Sequence, residues 1–95
     1  MTRYLVLLHF TERGLKNINM STARAHAFAK AAKKAGVAIE GQFWTVGRYD
    51  GALILGAENR GSIHALIAAL ASAGNVRAEA LEAFTDAEFD ANSGN

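Results

Sequence analysis

The stretch VAIEGQFWTVGRYDGALILGA, residues 37–57, decides how this chain folds. Val37 to Val46 reads as a strand, and Gly51 to Ala57 reads as another. Gly47, Arg48, Tyr49 and Asp50 between them leave room only for a short turn, so the two strands form a hairpin. On the N-terminal side, Ala27, Phe28, Ala31, Ala32 and Ala35 fall at helical spacing within residues 23–35. His26, Lys30, Lys33 and Lys34 lie opposite them, and Gly36 stands as a C-terminal cap. Ser21 or Thr22 is expected to cap this helix, and Thr11–Met20 to form a polar loop before it. Residues 3–10, rich in Tyr, Leu, Val and Phe, give the first strand. On the C-terminal side, Ile63, Leu66, Ile67 and Leu70 define a second amphipathic helix ending at Gly74, and Val76 to Phe84 is the fourth strand. Thr85 and Glu88 then have capping-box spacing for a last short helical turn.

A βαβ unit followed by a second one, with a hairpin joining them, implies an α+β, ferredoxin-like βαββαβ plait. Its four-stranded antiparallel sheet has the order 4-1-3-2 once both crossovers are right-handed, and both helices cover one face. Residues 1–90 are expected to form this one domain, with 91–95 a frayed tail. Strands one and three are apolar on both faces, as central strands require, and strands two and four are amphipathic, as edges are. The face without helices is assigned Leu5, Leu7 and His9, with Glu40, Gln42 and Trp44 on strand two and Arg77, Glu79 and Leu81 on strand four. Its apolar centre marks an interface or a ligand cavity, so a dimer or higher homo-oligomer is expected.

Composition narrows the class. Ninety-five residues can bury one core, and 51% hydrophobic content excludes disorder. No apolar run exceeds Leu5–Leu8 by enough to approach a membrane span, and no secretory signal is visible, so a cytoplasmic, membrane-independent protein is expected. The absence of cysteine excludes disulfides and thiol chemistry. Ten Lys and Arg against nine Asp and Glu give no long-range attraction for nucleic acid. His9, His26 and His64 sit on three different elements, and no glycine-rich phosphate loop is present, so neither a metal nor another cofactor is expected.

The topology brings three polar segments to one end of the sheet: Thr11–Asn17, Gly47–Asp50 and Gly74–Arg77. His9 and Trp44 stand next to them. In a catalytic reading His9 and Asp50 form an acid/base pair, the carboxylate orienting the imidazole. In a binding reading Arg48 and Arg77 clamp a carboxylate, with Trp44, Tyr49, Asn75, Glu12 and Asn17 completing the ligand site. Each residue also has a structural reading. Gly47 supplies a positive φ, Asp50 accepts backbone N–H bonds, Tyr49 is a half-buried hairpin aromatic, and the arginines pair with Glu12, Asp50 or Glu79.

The segments Thr11-Glu12-x-Gly14-x-x-Asn17, Gly47-x-Tyr49-Asp50, Gly74-Asn75-Val76-Arg77 and Ala83-Phe84-Thr85-x-x-Glu88-Phe89, in this order, resemble the GYD domain family. That resemblance implies a small bacterial α/β-plait protein and no particular biochemical role, since a fold does not name a function. A similar Gly-x-Tyr-Asp hairpin occurs in the effector-binding domains of leucine-responsive-type regulators, oligomers that bind metabolites between subunits; the helix-turn-helix of those regulators is missing here. Two functions are therefore expected to compete. The first is an oligomeric module that binds a small, carboxylate-bearing metabolite. The second is a cofactor-independent isomerase, hydrolase or monooxygenase of the dimeric α/β-barrel type, using His9 and Asp50.

Overall fold

A computed structural model describes residues 1–93. Its elements are β1 (Thr2–Phe10), α1 (Glu12–Lys16), a 3-10 turn over Ile18–Met20, α2 (Ser21–Lys34), β2 (Ala38–Trp44), β3 (Gly51–Ala57), α3 (Arg60–Ser72), β4 (Val76–Glu82) and α4 (Asp86–Ser93). The strands form one antiparallel sheet in the order β2-β3-β1-β4, which is 4-1-3-2 counted from the opposite edge. α2 and α3 pack on the same face. Their buried residues Phe28, Ala32, Ile63 and Leu66 meet Tyr4, Val6, Leu53 and Leu55 of the central strands in a single core.

Paired residues on neighbouring strands share a face, so the register fixes both sides of the sheet. Rows Gln42–Leu53–Val6–Ala80 and Trp44–Gly51–Leu8–Ala78 face the helices. Rows Gly41–Ile54–Leu5–Leu81 and Phe43–Ala52–Leu7–Glu79 face away. The expected faces therefore hold for β1 and β4 and fail for half of β2. Gln42 and Trp44 lie on the helix side and Phe43 on the open side. The cause is a β-bulge. The pairing steps from Ile39 with Leu55 directly to Gly41 with Ile54, which leaves Glu40 as an extra residue and inverts the alternation after it. Glu40 itself reaches Arg3, whose Nε donates to its carboxylate at 2.7 Å.

The segment expected to be a loop is partly helical. Thr11 caps α1, its hydroxyl accepting from the Gly14 N–H at 3.1 Å, and the 3-10 turn leads straight into α2. Ser21 and Thr22 are consequently inside α2 and do not cap its start; Met20 holds the cap position without a side-chain bond. The last helix follows the capping-box reading closely. Thr85 N–H donates to the Glu88 carboxylate at 2.7 Å, and Glu88 N–H donates to the Thr85 hydroxyl at 3.1 Å. α4 then continues through Ser93, so residues 91–93 of the expected frayed tail are helical. Gly94 and Asn95, the rest of that tail, lie outside the described residues.

Candidate functional site

Much of the polar end of the sheet is a structural joint. The Thr11 hydroxyl donates to the Gly74 carbonyl at 2.6 Å while its backbone N–H donates to the Asn75 carbonyl at 3.0 Å. Gly14 is buried against that same Asn75 carbonyl, where a Cβ would overlap the oxygen. Gly74, with φ +83°, turns the chain from α3 into β4 at this contact. Asp50 closes the joint from the other side. Its backbone N–H donates to the Leu8 carbonyl and its carboxylate accepts from the Phe10 N–H, both at 2.8 Å. The side chain thus takes the place of a missing backbone partner at the end of β1.

This arrangement separates the two residues expected to act as an acid/base pair. No hydrogen bond or ion pair joins His9 to Asp50 among the described residues. The His9 ring instead lies 4.6 Å, centroid to centroid, from the ring of Tyr49. Arg48 sits over the other aromatic partner, its guanidinium carbon 5.8 Å from the Tyr49 centroid, within reach of a cation–π contact. Arg77 pairs across the strands with His9. Hydrogen bonding with the Glu79 carboxylate, then desolvation and the same negative charge, holds the Tyr49 phenol above its ordinary pKa against the opposing influence of Arg48. His9, Tyr49, Arg48, Arg77 and Glu79 thus form a polar border to the open face.

The helix face of the same end holds a cavity of about 330 Å³. Its interior is apolar, lined by Leu8, Phe28, Leu53, Leu66 and Leu70 together with alanines of α2 and α3. Two features of the sequence open it. Gly51 places no side chain on the floor between Leu8 and Trp44, and the exposed Ala31, Ala69 and Ala73 put only methyl groups on its helix side. Polar groups collect toward the loop end, where β1 finishes, β4 begins and α2 starts: Ser21, Arg24, Trp44, Asp50 and Asn75, with Gln42 beside them on β2. This is the size and the mixture of linings typical of a small-molecule site.

The expected site residues are thus divided between the two faces. Trp44, Asp50 and Asn75 line the cavity; His9, Arg48, Tyr49 and Arg77 do not. Glu12 and Asn17 line neither. Glu12 pairs with Lys16 at 3.7 Å in solvent, and the Asn17 amide donates to the Arg13 carbonyl at 3.0 Å. Arg24, Ser21 and Gln42 were outside the expected site. The signal that points to them is the row of small residues at sheet-facing positions, which leaves volume where larger side chains would close the core. No group of His, Asp or Glu suited to a metal occurs among the described residues.

Searches of curated proteins and of solved structures find no match. The family model of the GYD domain matches residues 4–92. That span takes in the Thr11–Gly14 clasp, the Gly47–Asp50 turn, the start of β4 and the α4 capping box, and the chain belongs to the GYD domain family.

Proposed function

We propose that this protein is a binding module for a small, largely apolar molecule, held between the sheet and the helices of a ferredoxin-like plait that associates through its open face. The cavity of about 330 Å³, apolar within and polar at one end, carries this reading. The acid/base alternative lacks comparable support. The Asp50 carboxylate is bound to the Phe10 N–H, and His9 packs on Tyr49 outside the cavity.

Trp44 is the chain's one tryptophan and lines the cavity, so its fluorescence reports occupancy directly. A thermal-shift screen of small apolar compounds is expected to yield ligands that also change Trp44 emission. At a ligand concentration of about 100 Kd the stabilisation is about 2.7 kcal/mol. For a chain of this size that is a shift on the order of 10 °C. Binding is expected to survive His9→Ala and to be lost in Ala69→Phe, which fills the cavity from α3. A screen without stabilising compounds, or ligands that bind Ala69→Phe as well as the parent, would retire the reading.

A further inference from the structure

We infer that the cavity ligand is an apolar monocarboxylate whose charged end is held by Arg24; this rests on the cavity being a ligand site. Arg24 lies in the second turn of α2 and lines the cavity, partly buried. Two of its N–H groups are occupied by its own neighbourhood. One terminal nitrogen donates to the Asn17 carbonyl at 2.9 Å and the other to the Ser21 hydroxyl at 3.3 Å. Those bonds hold the guanidinium in place and leave its remaining donors free for a planar anion. No carboxylate pairs with it among the described residues, in contrast to Arg3 and Arg60, which are paired with Glu40 and Glu82 at 2.7 Å. A cation withdrawn in part from water and held in no ion pair favours an anionic ligand.

The rest of the lining fixes the other half of the molecule. Among the described residues that line it Asp50 is the one acid; it makes no ion pair with Arg24, and its carboxylate is directed to the Phe10 N–H at the end of β1. Beyond Arg24, α2 offers Phe28 and Ala31 to the cavity, and β3 and α3 offer Leu53 and Leu66. These side chains bring no charge, so a second ionised group would be desolvated without a partner. One anionic end and an uncharged body is the chemistry that satisfies both regions. The clamp therefore differs from the Arg48–Arg77 pair expected from the sequence, since neither of those arginines lines the cavity.

Decanoate, decanol and decylamine, which share a chain and differ in the head group, test the inference on the full chain through Trp44 emission. Decanoate is expected to bind at least tenfold more tightly than decanol, and decylamine more weakly than either. Arg24→Gln is expected to bring decanoate down to the affinity of decanol while leaving decanol unchanged, and Arg24→Lys to keep most of the preference. Equal binding of decanoate and decanol by the parent protein, or tighter binding of decylamine, overturns the anionic ligand and leaves the cavity reading standing. That comparison needs no variant, so it holds even if Arg24→Gln is too unstable to purify. Failure of all three, and of the naphthalene counterparts 2-naphthoate and 2-naphthol, overturns the cavity reading and the inference together. Decanoate binding that persists in Ala69→Phe places the anion elsewhere and also overturns it.

Discussion

Gly14 shows how tightly a single residue can be determined by its surroundings. Its Cα faces the Asn75 carbonyl so closely that any side chain must displace either α1 or the start of β4. Gly14→Ala is expected to cost about 2 kcal/mol or more, the range of forced repacking in a filled core. Gly36→Ala makes a useful contrast, because φ is +75° there and no atom stands in the way of a Cβ. Only the left-handed backbone penalty applies, about 1 kcal/mol. Urea unfolding with an unchanged m-value distinguishes the two, and equal midpoints would show that the Asn75 contact is not rigid. Asp50 is tested in the same way. Asp50→Ala leaves the Phe10 N–H without its acceptor, at an expected cost of about 2 kcal/mol, whereas Asp50→Asn keeps a carbonyl oxygen and should lose less than half of that. A larger loss for the asparagine than for the alanine would contradict the hydrogen-bonding role.

Among the elements, α4 is held chiefly at its start. Thr85→Ala removes one half of the capping box and should lower the local stability of α4 by about 1 kcal/mol. Amide exchange over residues 86–93 would detect this even where the global melt does not move. The pH response of this end has a definite sign. The Thr85 backbone N–H, followed by its hydroxyl, holds the Glu88 carboxyl below its ordinary pKa, and hydrogen bonding from Arg3 does the same for Glu40. A carboxylate with a lowered pKa in the folded state contributes stability above its unfolded pKa and loses it as pH falls through the folded value. Thermal melts from neutral to acid pH should therefore decline more steeply for the parent than for Glu88→Gln, which is less stable at neutrality. Parallel curves for the two proteins would remove Glu88 from the acid response.

At the scale of the whole molecule, extents of 49 × 31 × 18 Å describe a sheet with α2 and α3 on one side. The side without them presents Leu5, Leu7, Ala52, Ile54 and Phe43 in adjoining rows, with Leu81 at the β4 edge. Phe43 and Leu81 remain 55% and 51% exposed, and the polar border of His9, Tyr49 and Glu79 rims the patch at one end. An apolar face of this kind on so small a domain favours self-association. Sedimentation equilibrium is expected to find a dimer or larger species at micromolar concentration. Leu7→Glu, adjacent to Glu79 in its row, should dissociate it, because burying an unpaired charge costs several kcal/mol. A folded, monodisperse monomer of the parent protein at that concentration would exclude the face as the interface.

Periodicity and local chemistry are enough to determine the elements that depend on short-range physics. The helical stripe from Ala27 to Ala35, the capping box at Thr85 and Glu88, and the doubly apolar central strands can each be read from neighbours a few residues apart. The parity of β4 follows from the same alternation, while that of β1, apolar on both faces, is an assignment that the register bears out. That of β2 does not, since a single unpaired residue at Glu40 reverses it, and only the register against β3 reveals the insertion. The candidate site depends on the same long-range facts. Convergence of the Thr11, Gly47 and Gly74 segments follows from topology and was legible. Which side of the sheet the end of β2 faces was not, and that decision sent Trp44 to the cavity, away from His9 on the open face. The cavity is a volume left between alanines on two helices and a glycine on a strand, residues far apart in the chain. It exists only once tertiary packing has set the distance between those helices and the sheet, and Arg24 becomes a candidate ligand residue only because the same packing brings it to the opening.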